Sequence, residues 1–171
     1  MGSKRKMTVS NSGPLIHLAK IDKLILLKEL FGEVIIPLQV KMEVVDAGKG
    51  DGMADAFLIE SEIENGWIII DGNITDLEDI VRNVGIDEGE AAAIVLARKM
   101  KKLILLDDLA ARRFAIGLGL EVTGSIGVLF KCTKLKIISN RDALDCLDKL
   151  ARIMWFIVDV YEDARKTIEE M

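Results

Sequence analysis

The sequence predicts an α/β layer structure with a mostly parallel central sheet. Short, continuously apolar runs of strand length recur along the chain, and segments with helical periodicity separate them. The third observation is balance: 171 residues, 50% hydrophobic and 30% charged, form a globular chain long enough to bury a core. A single domain over residues 1–171 is expected, with a helical C-terminal extension from about 135 to 171. No internal repeat or linker divides the chain.

Thr8–Ser10 is a brief β-prone lead into "NSGPLIHLAKI", where Asn11, Ser12 and Pro14 supply helix-start chemistry for a helix through Lys20. A second helix covers "DKLILLKELF", with Asp22 placed to cap it. "EVIIP" is a buried strand stopped by Pro37. "LQVKMEVVDAG" reads as a helix that ends near Gly48, and Gly48, Gly50 and Gly52 mark a mobile loop. "MADAFLIESEIENG" is helical, "WIIID" a strand and "ITDLEDIVRNVG" a short helix. "DEGEAAAIVLARKM" follows as a helix whose Asp87 and Glu88 suit its positive N-terminal end. Leu103–Leu106 is a buried strand running into Asp107 and Asp108, and "LAARRFAIGLG" is the next helix. Glu121–Thr123 adds a further parallel-type strand, and Ser125 caps a helix to about Lys134. Residues 140–171 are mainly helical; the apolar "IMWFIV" in their middle reads as core packing, with an oligomer or partner surface as the alternative.

Composition excludes several classes of function. A net charge of −5 argues against wholesale coating of nucleic acid, though not against a local basic track or a cation-dependent acidic site. Cys132 and Cys146 form no CxxC and read as buried, reduced thiols of an intracellular, cytoplasmic protein. No run approaches the roughly 20 apolar residues of a membrane helix. The basic start "MGSKRKM" reads as a leader without a hydrophobic signal core. Scarce glutamine with abundant Ile, Leu, Lys and Glu points to a thermophilic source. No P-loop, GxGxxG, HExxH or GxSxG stands in a suitable context. The only histidine, His17, lies between Ile16 and Leu18 and reads as packed or surface rather than catalytic.

Acids remain as candidates. In parallel sheets the functional crevice lies beyond the carboxyl ends of the strands, where Asn11 and the Asp107-Asp108 pair fall. On the helix from residue 87, Glu90 shares its stripe with Ala93, Ile94 and Ala97, whereas Glu88 points away with Lys99. Glu90 therefore projects inward, a position that helix-end stabilisation explains less well. Glu43 follows Val40 on the helix after Pro37, where a solvated face is the competing reading. Successive strand residues face opposite ways, so one of Asp107 and Asp108 faces the crevice while the other caps the next helix. Arg112 and Arg113, one turn beyond, can hold flanking phosphates; Lys99, Lys101 and Lys102 are further candidates.

The segments "VSNSGPLIHLAKI", "ELFGEVIIPLQVKMEVVDAG", "IDEGEAAAIVLARKM" and "LILLDDLAARRFAIGLGLEVTGSIGVL" together resemble PIN-domain proteins, most closely the DUF3368 branch, which is related to VapC-type toxin nucleases. The resemblance implies an α/β/α sandwich, a Mg²⁺ or Mn²⁺ cofactor and endoribonuclease activity, with RNA and an antitoxin protein as partners and a homodimer as assembly. By position it places the family's acids on Asn11, Glu43, Glu90 and the Asp107-Asp108 pair. Ser12 matches the small hydroxyl residue after the first acid and joins Arg112 and Arg113 as an RNA-binding candidate. Metal ligation is implied for Glu43, Glu90, Asp107 and Asp108. Hard divalent cations prefer oxygen ligands, so a carboxylate cluster suits them, and such an ion makes a histidine or covalent nucleophile unnecessary. Asn11 departs from the pattern because an amide can ligate but carries no charge. A catalytically silent RNA- or protein-binding module is therefore the alternative, and caps and surface charges are the plain third reading.

Overall fold

Strands that are apolar along their whole length need cover on both faces. In the computed structural model, which describes residues 6–171, five strands form one sheet: β1 (Met7–Ser10), β2 (Glu33–Ile36), β3 (Ile68–Ile70), β4 (Ile104–Leu105) and β5 (Val122–Thr123). Their order is β3-β2-β1-β4-β5, and every pairing is parallel. Val34–Ile36 and Ile104–Leu106 are buried without a break, so both pleat faces are covered and the architecture is an α/β/α sandwich. The leader read at the N-terminus falls largely on residues 1–5, outside the described residues.

The connections are helical: α1 (Ser12–Lys20) and α2 (Ile25–Phe31) join β1 to β2. After β2 come α3 (Leu38–Lys41), a π-helical segment (Met42–Ala47), α4 (Gly48–Gly50) and α5 (Ala54–Glu64). Then follow α6 (Glu78–Val84) and α7 (Glu88–Met100) before β4, α8 (Leu109–Gly117) before β5, and α9 (Ser125–Lys134), α10 (Asn140–Ala151) and α11 (Val158–Glu169) after it. Helix α7 rests on β1 and β4 through Ala93, Ile94 and Ala97, all fully buried. Alanines bring its axis close to the sheet, as the stripe through Glu90 requires. Among the described residues no helix is long and apolar enough to cross a membrane.

Strand order turns at β1: β2 and β3 lie to one side, β4 and β5 to the other. That places the carboxyl end of β1 at a topological switch point, where parallel sheets open a crevice. The ladder ends there with Asn11 N–H donating to the Leu105 carbonyl at 3.1 Å, so Asn11 and the residues after β4 emerge side by side.

Several local expectations are corrected. Asp22 does not cap α2; it takes a left-handed conformation (φ 57°) in the turn that closes α1, and α2 starts three residues later without a side-chain cap. The helix after β2 does not stop near Gly48 but runs through Gly50, with its middle wound as a π helix. Gly48 belongs there for packing reasons, because a Cβ on it would sit 2.7 Å from Ala56 Cβ on α5. Only Gly52 of the three glycines has positive φ, 70°. Cys132 and Cys146 are buried and unpaired; burial pushes the Cys132 thiol up to about 12 and raises that of Cys146, so both are inert.

Gly48→Ala is expected to destabilise the protein by about 1–3 kcal/mol through overpacking against Ala56. Gly50→Ala, with nothing within 4 Å of the added Cβ, is expected to be close to neutral. Paired urea denaturation curves check both.

Candidate functional site

The crevice beyond β1 and β4 is a cavity of about 350 Å³ lined by Asn11, Ser12, His17, Glu43, Asp87, Glu90, Asp107 and Asp108 among others. The hollow beside α9 and α10 is larger, about 780 Å³, but Asp142 is its single acid. Every acid lining the crevice accepts a hydrogen bond, and the amide oxygen of Asn11 does not.

Asp107 is the most tightly held. Its Oδ1 accepts from Ser125 N–H at 2.7 Å, and its Oδ2 accepts from Ser125 Oγ at 2.6 Å. His17 Nδ1 lies 2.7 Å from the same Oδ2. Three hydrogen bonds leave little of the carboxylate's acceptor capacity uncommitted. Gly124 makes this approach feasible, since a Cβ there would lie 2.7 Å from Asp107 Oδ1. Ser125 is therefore not a helix cap: it is the first residue of α9, and its hydroxyl turns to Asp107. His17 is half-buried on the cavity wall with a carboxylate partner.

Asp108 takes the other role open to the pair. It is the N-cap of α8, accepting from Ala111 N–H at 2.8 Å, and it still borders the cavity. Arg112 reaches back to donate from Nη1 to the Leu106 carbonyl at 2.8 Å, which ties it to the end of β4; Arg113 is exposed.

Glu90 does serve the helix end, contrary to the expectation drawn from its inward face. It forms a capping box with Asp87: Glu90 N–H donates to Asp87 Oδ1 at 2.7 Å, and Asp87 N–H donates to Glu90 Oε2 at 3.0 Å. It is nonetheless buried, only 9% exposed. Loss of water around the carboxyl pushes its pKa up to about 7, against the lowering bond from Asp87 N–H. Repulsion from Asp87, Asp108 and Glu43 adds to the rise. Glu43 sits in the first turn of the π segment, and Ser12 Oγ donates to its Oε2 at 2.7 Å. Much of its side chain is exposed, yet withdrawal of the carboxyl from water raises its pKa, with Asp87 adding repulsion and Ser12 opposing it.

Asn11 is the exception. It is 5% exposed, and its Oδ1 is a buried polar atom without a hydrogen-bond partner. Gly89 leaves a hollow beside it: a Cβ there would meet Glu43 Oε2 at 2.8 Å, Asp87 Oδ1 at 3.4 Å and Asn11 Oδ1 at 3.7 Å. Three oxygens from three elements thus border one bare helix surface. Among the described residues, however, no three His, Cys, Asp or Glu side chains gather closely enough to hold a metal ion by themselves.

The structure brings Asn11, Ser12, Glu43, Glu90, Asp107 and Asp108 to one cavity. Of the residues expected elsewhere, Asp87 joins them as the cap of α7, with His17 on the wall. Ser125, Gly89 and Gly124 shape the acids from outside the set that sequence spacing singled out. No local signal links Ser125 to Asp107, because that contact exists only once β4 and β5 pair.

The Glu90 carboxyl has a folded pKa near 7 against an ordinary value of 4.5. Between those values the folded protein binds more protons than the unfolded chain, so stability falls as pH rises through that window. Chemical denaturation in EDTA at pH 5 and pH 7.5 is expected to show this fall. Glu90→Gln should flatten it while keeping the capping box, which accepts glutamine.

Against curated proteins and against solved structures the chain has no match. The family model described as DUF3368, PIN domain, matches residues 7–170. With the parallel sandwich and its acidic crevice on the carboxyl edge, that match over nearly the whole length places the chain in the DUF3368 branch of the PIN-domain family.

Proposed function

We propose that the chain is a divalent-cation-dependent endoribonuclease of PIN type, the toxin half of a toxin–antitoxin pair. A PIN domain is a nuclease-type fold. The observation that carries the reading furthest is the unpartnered, buried Asn11 Oδ1 in the same cavity as five carboxylates. A buried acceptor without a donor costs roughly 1–3 kcal/mol, and a cation or its water is what such an oxygen lacks.

The donor chemistry fits Mg²⁺ or Mn²⁺, both of which take oxygen ligands; Mg²⁺ in particular is held by one or two carboxylates while keeping several waters. Asn11, Glu43 and Glu90 would hold the ion, with Asp108 at the cavity border and Asp107 locked by Ser125 and His17 as a fixed negative wall. When bound, the ion polarises a phosphoryl oxygen and offsets charge on the attacking and leaving oxygens. The chain's own residues do the rest. Ser12 fixes the Glu43 carboxylate, and the capping box fixes Glu90 through Oε2. Glu90 holds a proton below about pH 7 in the ion-free protein, so cation uptake at pH 6 displaces it. Arg113, exposed one turn beyond Asp108, supplies a contact for a flanking phosphate.

A second reading, a silent RNA- or protein-binding module, draws on Asn11 standing where the family carries an acid. RNA incubated with Mn²⁺ or Mg²⁺ and the purified protein separates the two. Cleavage that EDTA abolishes and that Glu90→Gln lowers about 100-fold or more is expected. Intact RNA with the wild-type protein, at cation concentrations where calorimetry detects uptake, selects the silent module instead.

Asn11→Asp is expected to tighten Mn²⁺ binding and to lower the stability of the cation-free protein, because it adds a sixth carboxylate to the cavity, buried without a donor. Isothermal calorimetry and EDTA denaturation measure the two effects. No change in either removes Asn11 from the ion's surroundings.

A further inference from the structure

The segment between α10 and α11 contradicts the core-packing expectation for "IMWFIV". Met154 and Phe156 pack against the core, but Trp155 between them is 104% exposed, with no hydrogen bond or ring contact. Exposure of an indole to that degree is uncommon, since tryptophan is highly buried on average. Met154 N–H is anchored to the Leu150 carbonyl at 2.8 Å, and Met154 and Phe156 turn their side chains toward the core while Trp155 between them faces outward. Its position is not arbitrary either: Ile153, Met154 and Trp155 form the apolar wall of the same cavity that holds Asn11, Glu90 and Asp107.

We propose that Trp155 is a stacking platform for the nucleobase beside the phosphate that enters the acidic cavity. This rests on the nuclease reading of that cavity and names the part of the substrate that the acids cannot recognise. Carboxylates and a cation address only the phosphate, which is the same in every nucleotide. An aromatic face on the wall of that cavity addresses the base, and every base has a π face. Stacking needs an unpaired base, so the platform selects single-stranded substrate. The apolar surface continues through Ile157 and Val158, 68% and 71% exposed, but these two lie outside the cavity lining. A protein or second copy seated over Trp155 and Ile153 would close the cavity mouth, whereas a stacked base occupies the wall and leaves the phosphate inside.

Steady-state cleavage of a short oligouridylate by wild type, Trp155→Ala and Trp155→Phe tests the platform. Because the Trp155 side chain makes no packing contact, the alanine variant keeps the fold. KM is expected to rise roughly tenfold in Trp155→Ala, with kcat little changed, and to stay within about threefold of wild type in Trp155→Phe. An abasic nucleotide beside the cleaved bond should weaken the wild type by a similar factor and leave Trp155→Ala unaffected. Equal KM values for wild type and Trp155→Ala, with cleavage intact, overturn the platform while sparing the nuclease reading. Cleavage absent but labelled oligouridylate still binding through Trp155, by fluorescence anisotropy, overturns the nuclease reading and spares the platform. A Trp155→Ala variant that only dissolves a dimer in sedimentation, with unchanged RNA affinity, assigns the face to a second copy and overturns the proposal.

Discussion

Like charges collected at one edge of a sheet repel, and the architecture around the crevice is organised to offset that repulsion. Each carboxylate is matched with nearby donors before any ligand arrives. Asp107 has the Ser125 amide and hydroxyl and His17, Asp108 has the first turn of α8, Glu43 has Ser12, and Asp87 and Glu90 have each other's backbone. Three of these solutions use helix N-termini, where free N–H groups and the helix dipole favour negative charge. Compensation is incomplete at Glu90, whose carboxyl is held well above its ordinary pKa. At the most enclosed position the chain carries Asn11, a neutral oxygen, which avoids a further charge where no donor is available.

Small residues let these solutions coexist in little space. Ala93 and Ala97 bring α7 down onto β1 and β4, Gly89 leaves its first turn bare beside three oxygens, and Gly124 admits Asp107 to the start of α9. None of these residues carries chemistry. Their contribution is the absence of side-chain atoms where acids and backbone converge, and a single methyl at Gly124 would meet Asp107, Arg112 and the Leu106 carbonyl together.

The parallel sandwich was legible because its strands are short uninterrupted apolar runs, a pattern that demands two covered faces. The gathering of Asn11, Glu43, Glu90 and the Asp107-Asp108 pair followed from their places after strands and at helix starts, together with the family resemblance. What escaped depends on contacts between distant segments. His17 looks like a helix residue among aliphatics until β4 delivers Asp107 to it, and Ser125 looks like a cap until β5 brings it alongside. Glu90 shows the opposite error, since an inward face does not preclude a capping box. Asp22 and the Gly48–Gly50 stretch misled because turn-forming residues also serve where packing is close. Trp155 misled because composition does not show which member of an apolar triplet the backbone turns out.

The winding of residues 42–47 bears on how this site can change over time. A π turn holds about one residue more than an α turn, and such turns are rare except near functional positions. A helix with that surplus is one in which losing a residue restores regular hydrogen bonding instead of breaking it. A loss ahead of Glu43 would move that acid along the helix, out of the position from which it accepts the Ser12 hydroxyl.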